Sequence, residues 1–388
     1  MTGGPAQAEP TPASPTLASL TTMRVGGPAD RMILARSKDE LVQHALELWG
    51  SGEPWLLLGG GSNTVVSDEG FPGAVLLVRS EGVDRVVDES LGDRVRLRVQ
   101  AGQDWDALVA FCVERGWAGI EALSGIPGCA GAAPVQNIGA YGAELSDVLH
   151  SIEFLDAESG EVLRLTAAEL GLGYRTSSIK RGREGVVLSI DLVLDASDSG
   201  LSAPVRYGQL ADALGVSAGD RAPLGRLREA VLRLRASKGM VLDDEDRDTW
   251  SCGSFFTNPI VSERFSRGLP EDAPRFAVES EDAAPVVVSF EDLARGVVPE
   301  APALDASADA RRVKLSAAWL IEQAGVEKGF RLPGSGAAIS SKHTLAITNR
   351  GAATADDVAQ LARLVVQRVQ QEFGLVLVPE PNLYGLEV

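Results

Sequence analysis

The stretch that most limits how this chain can fold is SGIPGCAGAAPVQNIGAYG, residues 124–142. Glycine, alanine and other small residues fill most of it, so the segment can bury little apolar surface of its own. Ordering each backbone residue still costs about 1–2 kcal/mol, which contacts with something else must offset. Long irregular loops inside compact domains are usually functional. We therefore expect this backbone to wrap a large, flat ligand such as a cofactor, and an irregular loop without a ligand is the alternative.

A second glycine-rich loop, LGGGSN (58–63), directly follows the apolar run WLLL (55–58). Its three glycines allow the backbone to approach a ligand closely, and successive N–H groups can surround an anion. The spacing is neither GxGxxG nor GxxxxGK[ST], so it indicates neither a Rossmann fold nor a P-loop. Taken alone, the loop is interpreted as a tight turn, with a phosphate-binding loop as the alternative.

Segments with period-two alternation are interspersed with segments at helical period, which predicts a mixed α+β chain. Ser37 and Glu40 fit a capping box, and Asp104 and Thr354 fit helix N-caps. The strands at 94–99 and 186–194 alternate as in a sheet with one solvated face. There is no regular βαβ rhythm and no internal repeat. The predicted helices are 37–52, 104–116, 223–239, 316–325 and 354–374, and the predicted strands are 55–58, 74–78, 94–99, 186–194, 345–349 and 375–378.

The chain is acidic, with 54 Asp and Glu against 36 Lys and Arg and a net charge of −18. Such a charge repels nucleic acid and anionic membranes. No apolar run approaches the roughly 20 residues of a membrane helix, so we expect neither nucleic-acid binding nor membrane insertion. The helix at 223–239 is the one dense basic patch, and it is either a solvated face or a docking surface for a phosphate. Its cations are Arg226, Arg228, Arg233, Arg235 and Lys238.

Cys112, Cys129 and Cys252 are odd in number and form no CxxC. This favours free thiols in a reducing cytoplasm over a disulfide framework or a metal site. The N-terminal segment lacks the charged start and long apolar core of a signal peptide, and its Pro/Ala/Thr-rich composition predicts a disordered tail. Residues 263–310, rich in Pro, Ala, Asp and Glu, are predicted to be a surface insertion or linker.

The stretch WSCGSFFTNP (250–259) places Ser254 on a glycine turn. A nucleophilic serine requires a base, and the three histidines, His44, His150 and His343, are all distant from it in sequence. There is also no G-x-S-x-G elbow, which disfavours a serine hydrolase. From the local sequence alone, Ser254 is interpreted as a small turn residue.

Six blocks occur in the order in which one known family carries them. They are LGGGSN, IPGCAGAAPVQNIGAYG, GYRTSSIK (173–180), GSFFTNP (253–259), KLSAAWLIEQAGVEKG (314–329) and KHTLAITN (342–349). TTMRVGGPA (21–29) is also similar to the family's opening strand and turn. Over about residues 22–385 the chain resembles the UDP-N-acetylenolpyruvoylglucosamine reductases, flavoenzymes of bacterial peptidoglycan synthesis. Six blocks in register make coincidence implausible.

The resemblance implies an α+β fold in which a two-subdomain FAD-binding unit of the vanillyl-alcohol-oxidase (PCMH) type is joined to a third, substrate-binding α+β domain. The implied division is a tail at 1–20, FAD subdomains at 21–80 and 81–240, and the substrate domain at 241–375, with 376–388 returning to the active site. FAD and NADPH are the implied cofactors, a sugar nucleotide is the implied substrate, and no metal is implied. We also expect a monomer in the cytoplasm. The implied FAD contacts are Gly59, Gly60, Gly61, Ser62, Asn63, Ser124, Gly125, Pro127, Gly128, Gly131, Gln136, Asn137, Gly139 and Ala140.

The resemblance further implies that Arg175 binds the substrate carboxylate, that Glu380 stabilises an enolate while protonated, and that Ser254 donates the proton. The fork of an arginine suits a carboxylate, and a carboxyl group that stays protonated needs burial. An enolate carbon is basic enough to accept a proton from a hydroxyl at short range. Glu387 is the less favoured alternative to Glu380.

Substrate contacts are implied for Tyr141, Tyr207, Lys238, Asn258 and Gln323. The family's substrate-binding aromatic cannot be identified among Phe265, Phe276 and Phe290, and Cys252 is interpreted as a structural thiol. Two other interpretations compete with the reductase. A different FAD oxidoreductase of the same fold would lack the trio of Arg, Ser and Glu, and a non-catalytic flavin- or nucleotide-binding protein would keep only the glycine loops. The chain has both the loops and the trio, which favours the reductase.

Overall fold

The computed structural model describes residues 16–196, 199–278 and 311–388. The strands in these ranges are β1 (Ala29–Ala35), β2 (Trp55–Leu58), β3 (Thr64–Val66), β4 (Phe71–Val78), β5 (Val83–Val86), β6 (Arg94–Gln100), β7 (Gly139–Ala140), β8 (Ala143–Glu144), β9 (Leu149–Asp156), β10 (Val162–Thr166), β11 (Gly185–Asp195), β12 (Ile260–Ser262), β13 (Arg275–Ala277), β14 (Arg312–Leu315), β15 (Ala337–Ile339), β16 (Ile347–Asn349) and β17 (Asn382–Tyr384). The helices are α1 (Lys38–Ser51), α2 (Trp105–Glu114), α3 (Ala167–Leu170), α4 (Gly208–Leu214), α5 (Leu224–Ser237), α6 (Glu263–Ser266), α7 (Ala317–Gln323) and α8 (Ala355–Phe373). This mixture confirms the α+β prediction.

A three-stranded parallel sheet, in the order β1-β4-β2, lies near the start of the described chain. Helix α1 joins β1 to β2. Ser37 Oγ accepts a hydrogen bond from the Glu40 N–H at its start, and Gly52 ends it in the left-handed conformation, with φ 69°. Only half of the predicted capping box forms, because the Glu40 carboxylate accepts from the Arg36 N–H instead of closing back on Ser37.

A five-stranded antiparallel sheet, in the order β10-β9-β11-β6-β5, forms the centre of the fold. The prediction of one solvated face for 186–194 was wrong, because β11 is the middle strand and is covered on both sides. Val186 and Leu188 pack in one cluster with α1 and β4, whereas Ile190 and Leu192 pack in another with α2. A β-bulge between Val187 and Ser189 produces this change of face.

The polar side chain that interrupts β11 is Asp191, whose side chain is 1% exposed. Arg96 Nη2 lies 2.6 Å and Arg164 Nη1 lies 3.1 Å from its Oδ2, and Arg98 Nε lies 2.9 Å from its Oδ1. Burial acts to raise the pKa of Asp191, but the hydrogen bonds from Arg98 and Arg96 outweigh it, so the pKa lies below the ordinary value. Asp191 therefore stays charged, and its ion pairs link its own strand, β11, to β6 and to β10.

The last third of the described chain builds a separate core around α7 and α8, flanked by the sheet β12-β14-β13 and the hairpin β15-β16. Thr354, the predicted N-cap, forms a capping box with Asp357 at the start of α8. The predicted strand at 375–378 is not formed. Val376 and Val378 are exposed, and the segment's sheet-like pairing is an isolated bridge between Pro379 and Phe256. The predicted strand at 345–349 is shorter, since it begins at Ile347.

The structure departs from two sequence predictions, the N-terminal tail at 1–20 and the insertion at 263–310. Leu17–Leu20 form a 3₁₀ turn, and Leu17 is fully buried against the first sheet, so the predicted tail at 1–20 is too long. Part of the predicted insertion is built into the fold, because β13 pairs with β14. Residues 1–15 and 279–310, which include Phe290, lie outside the described residues. In the described ranges, no helix combines the length and the apolar character that crossing a membrane requires.

Replacing Asp191 by Asn should lower the free energy of unfolding by roughly 3 kcal/mol, because three guanidinium groups then surround a neutral amide. Urea unfolding measures the change. The lowered pKa means that the carboxylate stabilises the fold above the ordinary Asp pKa and loses that effect as pH falls through the folded value. The variant should therefore lose less stability than the wild type on acidification.

The matched control is Glu229→Gln, which removes an exposed carboxylate from a pair with Arg233 on α5. Exposed pairs of this kind contribute about 0–1 kcal/mol. Equal unfolding midpoints for Asp191→Asn and the wild type would contradict a structural role for the arginine cluster.

Candidate active site

A cavity of about 500 Å³ lies between the two glycine-rich loops and the segments that carry Ser254 and Glu380. Its walls come from sequence positions that span almost the whole described chain. The residues of the predicted site that line it are Gly59, Gly60, Gly61, Ser62, Asn63, Pro127, Gly128, Gly131, Gln136, Gly139, Arg175, Ser254 and Glu380.

The two glycine loops touch each other directly at the floor of this cavity. A Cβ atom on Gly60 would lie 2.6 Å from Gly128 Cα, and one on Gly59 would lie 2.4 Å from Cys129 Sγ. Ser62 Oγ then donates a hydrogen bond of 2.9 Å to the Pro127 carbonyl. Gly59 and Gly60 thus lack side chains so that the two loops can meet. From the sequence, these glycines were explained only by the close approach of a ligand.

Four of the implied FAD contacts are not among the cavity-lining residues. Ser124 is buried and donates to the Glu121 carbonyl, and Gly125 packs against Leu232. Asn137 is buried with φ 46°, and its side-chain NH₂ group donates to Glu144 and Ser146. Ala140 forms the short strand β7. These contacts help to build the 124–142 loop, and a contact of the four residues with FAD stays a prediction.

Arg175 occupies a strained backbone position at the cavity wall. Its φ is 52°, the left-handed region that non-glycine residues rarely adopt. Its Nη2 donates to the Gly139 carbonyl at 2.8 Å, and its Nε lies 3.3 Å from Glu380 Oε1. Such strain persists where surrounding contacts require it and clusters at functional sites. The guanidinium is thereby held at the cavity beside a carboxyl group.

Glu380 is the carboxyl group that completes this pair. Burial raises the pKa of Glu380, and Arg175 and Lys180 only partly oppose the effect. The backbone N–H of Glu380 donates to the Phe255 carbonyl at 2.8 Å, which ties it to the segment of Ser254. The alternative, Glu387, is exposed, and its carbonyl accepts from Arg363. Position therefore favours Glu380 for chemistry inside the cavity.

Ser254 lies on the same cavity, on a segment held at both sides. Thr22 Oγ1 donates to the Ser251 carbonyl at 2.6 Å, and the Phe255 N–H donates to the Leu345 carbonyl at 2.7 Å. Gly253 has φ 72°, which explains the glycine before the serine. The Ser254 hydroxyl makes no hydrogen bond to any residue in the described ranges, and in particular to no histidine. This arrangement does not provide the base that a nucleophilic serine needs.

The implied substrate contacts fall into two groups. Tyr141 and Tyr207 pack edge to face with ring centroids 5.6 Å apart, and Lys238 Nζ lies 5.7 Å from the Tyr141 ring. By contrast, Asn258 Oδ1 accepts from the Ala317 N–H and so caps α7, and Gln323 is exposed on that helix. None of the five lines the cavity itself. The structure brings the first three together and gives Asn258 a structural partner.

The basic helix α5 does not present one uniform face. Arg226 and Arg233 are exposed, and Arg228 pairs with Asp106 at 2.6 Å. Arg235 lines the cavity, where its Nη2 donates to the Met240 carbonyl and its buried Nε has no hydrogen-bond partner in the described part of the chain. A buried guanidinium with a free donor fits an anionic or carbonyl-bearing ligand such as a flavin cofactor. Sequence reasoning named Arg235 only as one cation of the patch.

Two further features were missed from the sequence. His343 is partly buried near Lys238 and Lys328, and its loss of solvent followed by repulsion from these lysines lowers its pKa to about 4. On the sheet of β12, β14 and β13, Phe276 pairs with Lys314, whose Nζ lies 4.4 Å from the Tyr174 ring. Tyr174 precedes Arg175, so Phe276 is connected to the site through Lys314 and Tyr174, whereas Phe265 lines a second cavity. Only spatial proximity reveals these groups.

Comparisons with known proteins agree with this geometry. Residues 244–384 match the family described as UDP-N-acetylenolpyruvoylglucosamine reductase, C-terminal domain, and residues 29–166 match an FAD binding domain. The chain is 59% identical to a UDP-N-acetylenolpyruvoylglucosamine reductase of Leifsonia xyli, over 96% of this chain and 98% of that protein. It is 48% identical to the reductase of Saccharopolyspora erythraea, over 96% of both chains. A crystal structure of the reductase from Thermus caldophilus is 25% identical, with a TM-score of 0.57, and the match covers 95% of this chain and 97% of that one.

The environment of His343 gives a testable titration. In the folded protein His343 should be neutral at pH 7 and should become protonated near pH 4. Because the unfolded residue titrates near 6.5, the fold is stabilised above that value, and this stabilisation is lost as pH falls toward 4. Lys238→Met should raise the pKa of His343 without restoring 6.5, since burial is the larger cause. An NMR titration of the histidine ring measures both values.

Lys38→Met serves as the control, because Lys38 pairs with Glu153 and does not act on His343. A titration of His343 near 6.5 in the wild type would contradict the buried environment described above.

Proposed function

The chain belongs to the UDP-N-acetylenolpyruvoylglucosamine reductase family, and we propose that Arg175, Glu380 and Ser254 carry out the reduction inside the cavity. The protein is an oxidoreductase of peptidoglycan synthesis that uses FAD and NADPH to reduce UDP-N-acetylenolpyruvoylglucosamine, a sugar nucleotide. This family membership sets aside the serine hydrolase, the non-catalytic flavin-binding protein and the flavoenzyme with another substrate. The observation that carries the residue assignment is the meeting of an arginine, a carboxyl of raised pKa and an unpaired hydroxyl at one cavity.

The glycine loops and Arg235 are the residues proposed to hold FAD. Bound FAD, once reduced by NADPH, would supply the hydride that adds to the terminal carbon of the enolpyruvyl group. The backbone N–H groups of the loop at 59–63 suit the cofactor's pyrophosphate. Arg235, with its free Nε, suits a polar or negatively charged part of the cofactor.

Arg175 is proposed to bind the carboxylate of the enolpyruvyl group. After hydride addition to the terminal carbon, negative charge develops on the neighbouring carbon and on the carboxylate oxygens. A guanidinium held in place before the reaction stabilises this charge without reorganising. The Gly139 carbonyl and Glu380 restrict Arg175 to such a position.

Glu380 is proposed to act while protonated, as a second donor to the developing enolate. A charged Glu380 would repel the substrate carboxylate and would also neutralise Arg175. Burial opposes that charge and raises the pKa of Glu380, even though Arg175 lies close by. The neutral carboxyl can then donate a hydrogen bond where charge accumulates.

Ser254 is proposed to transfer its hydroxyl proton to the carbon next to the carboxylate. The hydride and this proton together saturate the carbon–carbon double bond, and the serine recovers its proton from water. The hydroxyl is free to turn toward the substrate, since no described residue holds it in a hydrogen bond. This role explains a serine on a glycine turn without a histidine base.

The cluster of Tyr141, Tyr207 and Lys238 is proposed to bind the diphosphate of the sugar nucleotide. Lys238 is half-buried, and burial followed by repulsion from Arg235 lowers its pKa. The negative charge of a bound diphosphate would offset both effects by favouring the protonated amine. Lys328 acts electrostatically on His343 together with Lys238, so it adds a second cation to this region, while His343 itself stays neutral at pH 7. The exposed position of Gln323 gives no support for its proposed substrate contact.

We further propose that the working unit is a cytoplasmic monomer with the domain division implied by the sequence. We propose that the first FAD subdomain starts near Leu17, because the 3₁₀ turn Leu17–Leu20 packs against its sheet.

Ser254→Ala separates the two half-reactions. Flavin reduction by NADPH should proceed at the wild-type rate, whereas reoxidation by the enolpyruvyl substrate should slow at least about 100-fold, since general acid catalysis contributes this much or more. Anaerobic stopped-flow absorbance follows both steps. Ser254→Cys should recover part of the rate because a thiol can also donate a proton. Reoxidation of Ser254→Ala at the wild-type rate would remove Ser254 from the chemistry.

Lys238→Met should raise the KM for the sugar nucleotide roughly tenfold and change kcat less than about twofold, as loss of uniform binding does. Steady-state kinetics at saturating NADPH give both constants. Arg233→Met, at an exposed position of the same helix, is the control and should change neither. An unchanged KM in Lys238→Met would place the diphosphate elsewhere.

A further inference from the structure

The site contains a closed ring of hydrogen bonds that the proposed chemistry does not yet use. Asn63 Nδ2 donates to the Glu380 carbonyl oxygen at 3.3 Å and to Gln136 Oε1 at 3.2 Å. Gln136 Nε2 donates in turn to Glu380 Oε1 at 3.2 Å. Asn63 belongs to the first glycine loop and Gln136 to the second, and both line the cavity. The ring begins on the backbone of Glu380 and ends on its carboxyl group.

The backbone carbonyl of Glu380 sets the direction of every hydrogen bond in this ring. A backbone carbonyl can only accept, so Asn63 must turn its NH₂ group toward the Glu380 carbonyl. The same NH₂ group faces Gln136, which must therefore present its Oε1. Gln136 consequently turns its own NH₂ group to Glu380 Oε1, and this oxygen must accept. The Arg175 Nε, 3.3 Å from the same oxygen, is likewise only a donor.

We propose that Asn63 and Gln136 are positioning residues that confine the proton of Glu380 to Oε2. A proton on Oε1 would oppose the Gln136 N–H group and would face the Arg175 guanidinium, whereas Oε2 makes no hydrogen bond with any residue in the described ranges. The Oε2–H group is then the one available to the developing enolate. This inference rests on the proposed role of Glu380 and extends it to a single oxygen atom.

The ring has two opposite effects on Glu380, which makes its role measurable. The charged groups that face Glu380 are Arg175 and Lys180, and both favour the carboxylate. The hydrogen bond from Gln136 also favours the carboxylate and so acts to lower the pKa that burial raises. At the same time it orders the neutral form. Loss of the Gln136 amide should therefore make Glu380 easier to protonate and yet less effective as a donor.

The test uses Gln136→Met, which keeps the side-chain length and removes the amide. In the FAD-loaded enzyme, the alkaline limb of the substrate-dependent reoxidation rate should move up by about one pH unit, because a hydrogen bond to a charged group is lost. The plateau rate should fall roughly tenfold, because the proton is then shared between two oxygens and is poorly oriented. Gln136→Glu is the second variant and should also move the limb upward, since two adjacent carboxyl groups resist double ionisation.

Gln43→Met is the matched control, because Gln43 makes the same amide–carboxylate hydrogen bond, 2.8 Å to Glu47, on the exposed face of α1. It should change neither the limb nor the plateau. Glu380→Gln separates two kinds of failure. If Glu380→Gln reoxidises at the wild-type rate, the proposed function of Glu380 is wrong and the ring has no catalytic role. If it is inactive while both Gln136 variants keep the wild-type limb, the ring only packs the cavity wall and this inference alone is overturned.

Discussion

The contact between the two glycine loops is the constraint on which the rest of the site depends. Gly59 and Gly60 meet Gly128 and Cys129 at distances that leave no room for a side chain. Because the loops touch, Asn63 and Gln136 come within hydrogen-bond distance of each other and of Glu380. A single methyl group at Gly60 would separate the loops and would change the floor of the cavity together with the orientation of the carboxyl group above it.

Predictions from the sequence were accurate where a structure or an activity requires particular residues at a fixed local spacing. Helix caps at Ser37 and Thr354, the α+β class and the family followed from such patterns. Assignments that depend on packing were less accurate, because burial is decided by neighbours distant in sequence: β11 is covered on both faces, and 375–378 lacks a partner strand. At the site, Arg175 and Glu380 were found by motif, whereas Arg235 and His343 became evident only through burial in the folded chain.

The distribution of charge resolves an apparent conflict between composition and substrate. With a net charge of −18, the protein as a whole repels a sugar nucleotide that carries phosphates and a carboxylate. At the site, however, Arg175 and Arg235 both line the cavity, Lys238 lies close enough to Arg235 to be repelled by it, and the Asp106 carboxylate is already paired with Arg228. The basic groups are thus concentrated where an anion is needed. Acidic residues elsewhere favour solubility and discourage binding of other polyanions.

The parallel pairing of β17 with β3 has a consequence for how the protein reaches its native state. The hydrogen bond between Asn63 and the Glu380 carbonyl joins residues 317 positions apart. Contacts of such high sequence separation are entropically costly and form late relative to local ones. The cavity is complete only when this contact has formed, because Asn63 and Glu380 both line it. Flavin affinity should therefore arise when this contact closes. Bound flavin would then stabilise the closed chain, because it binds the native state and not the open one.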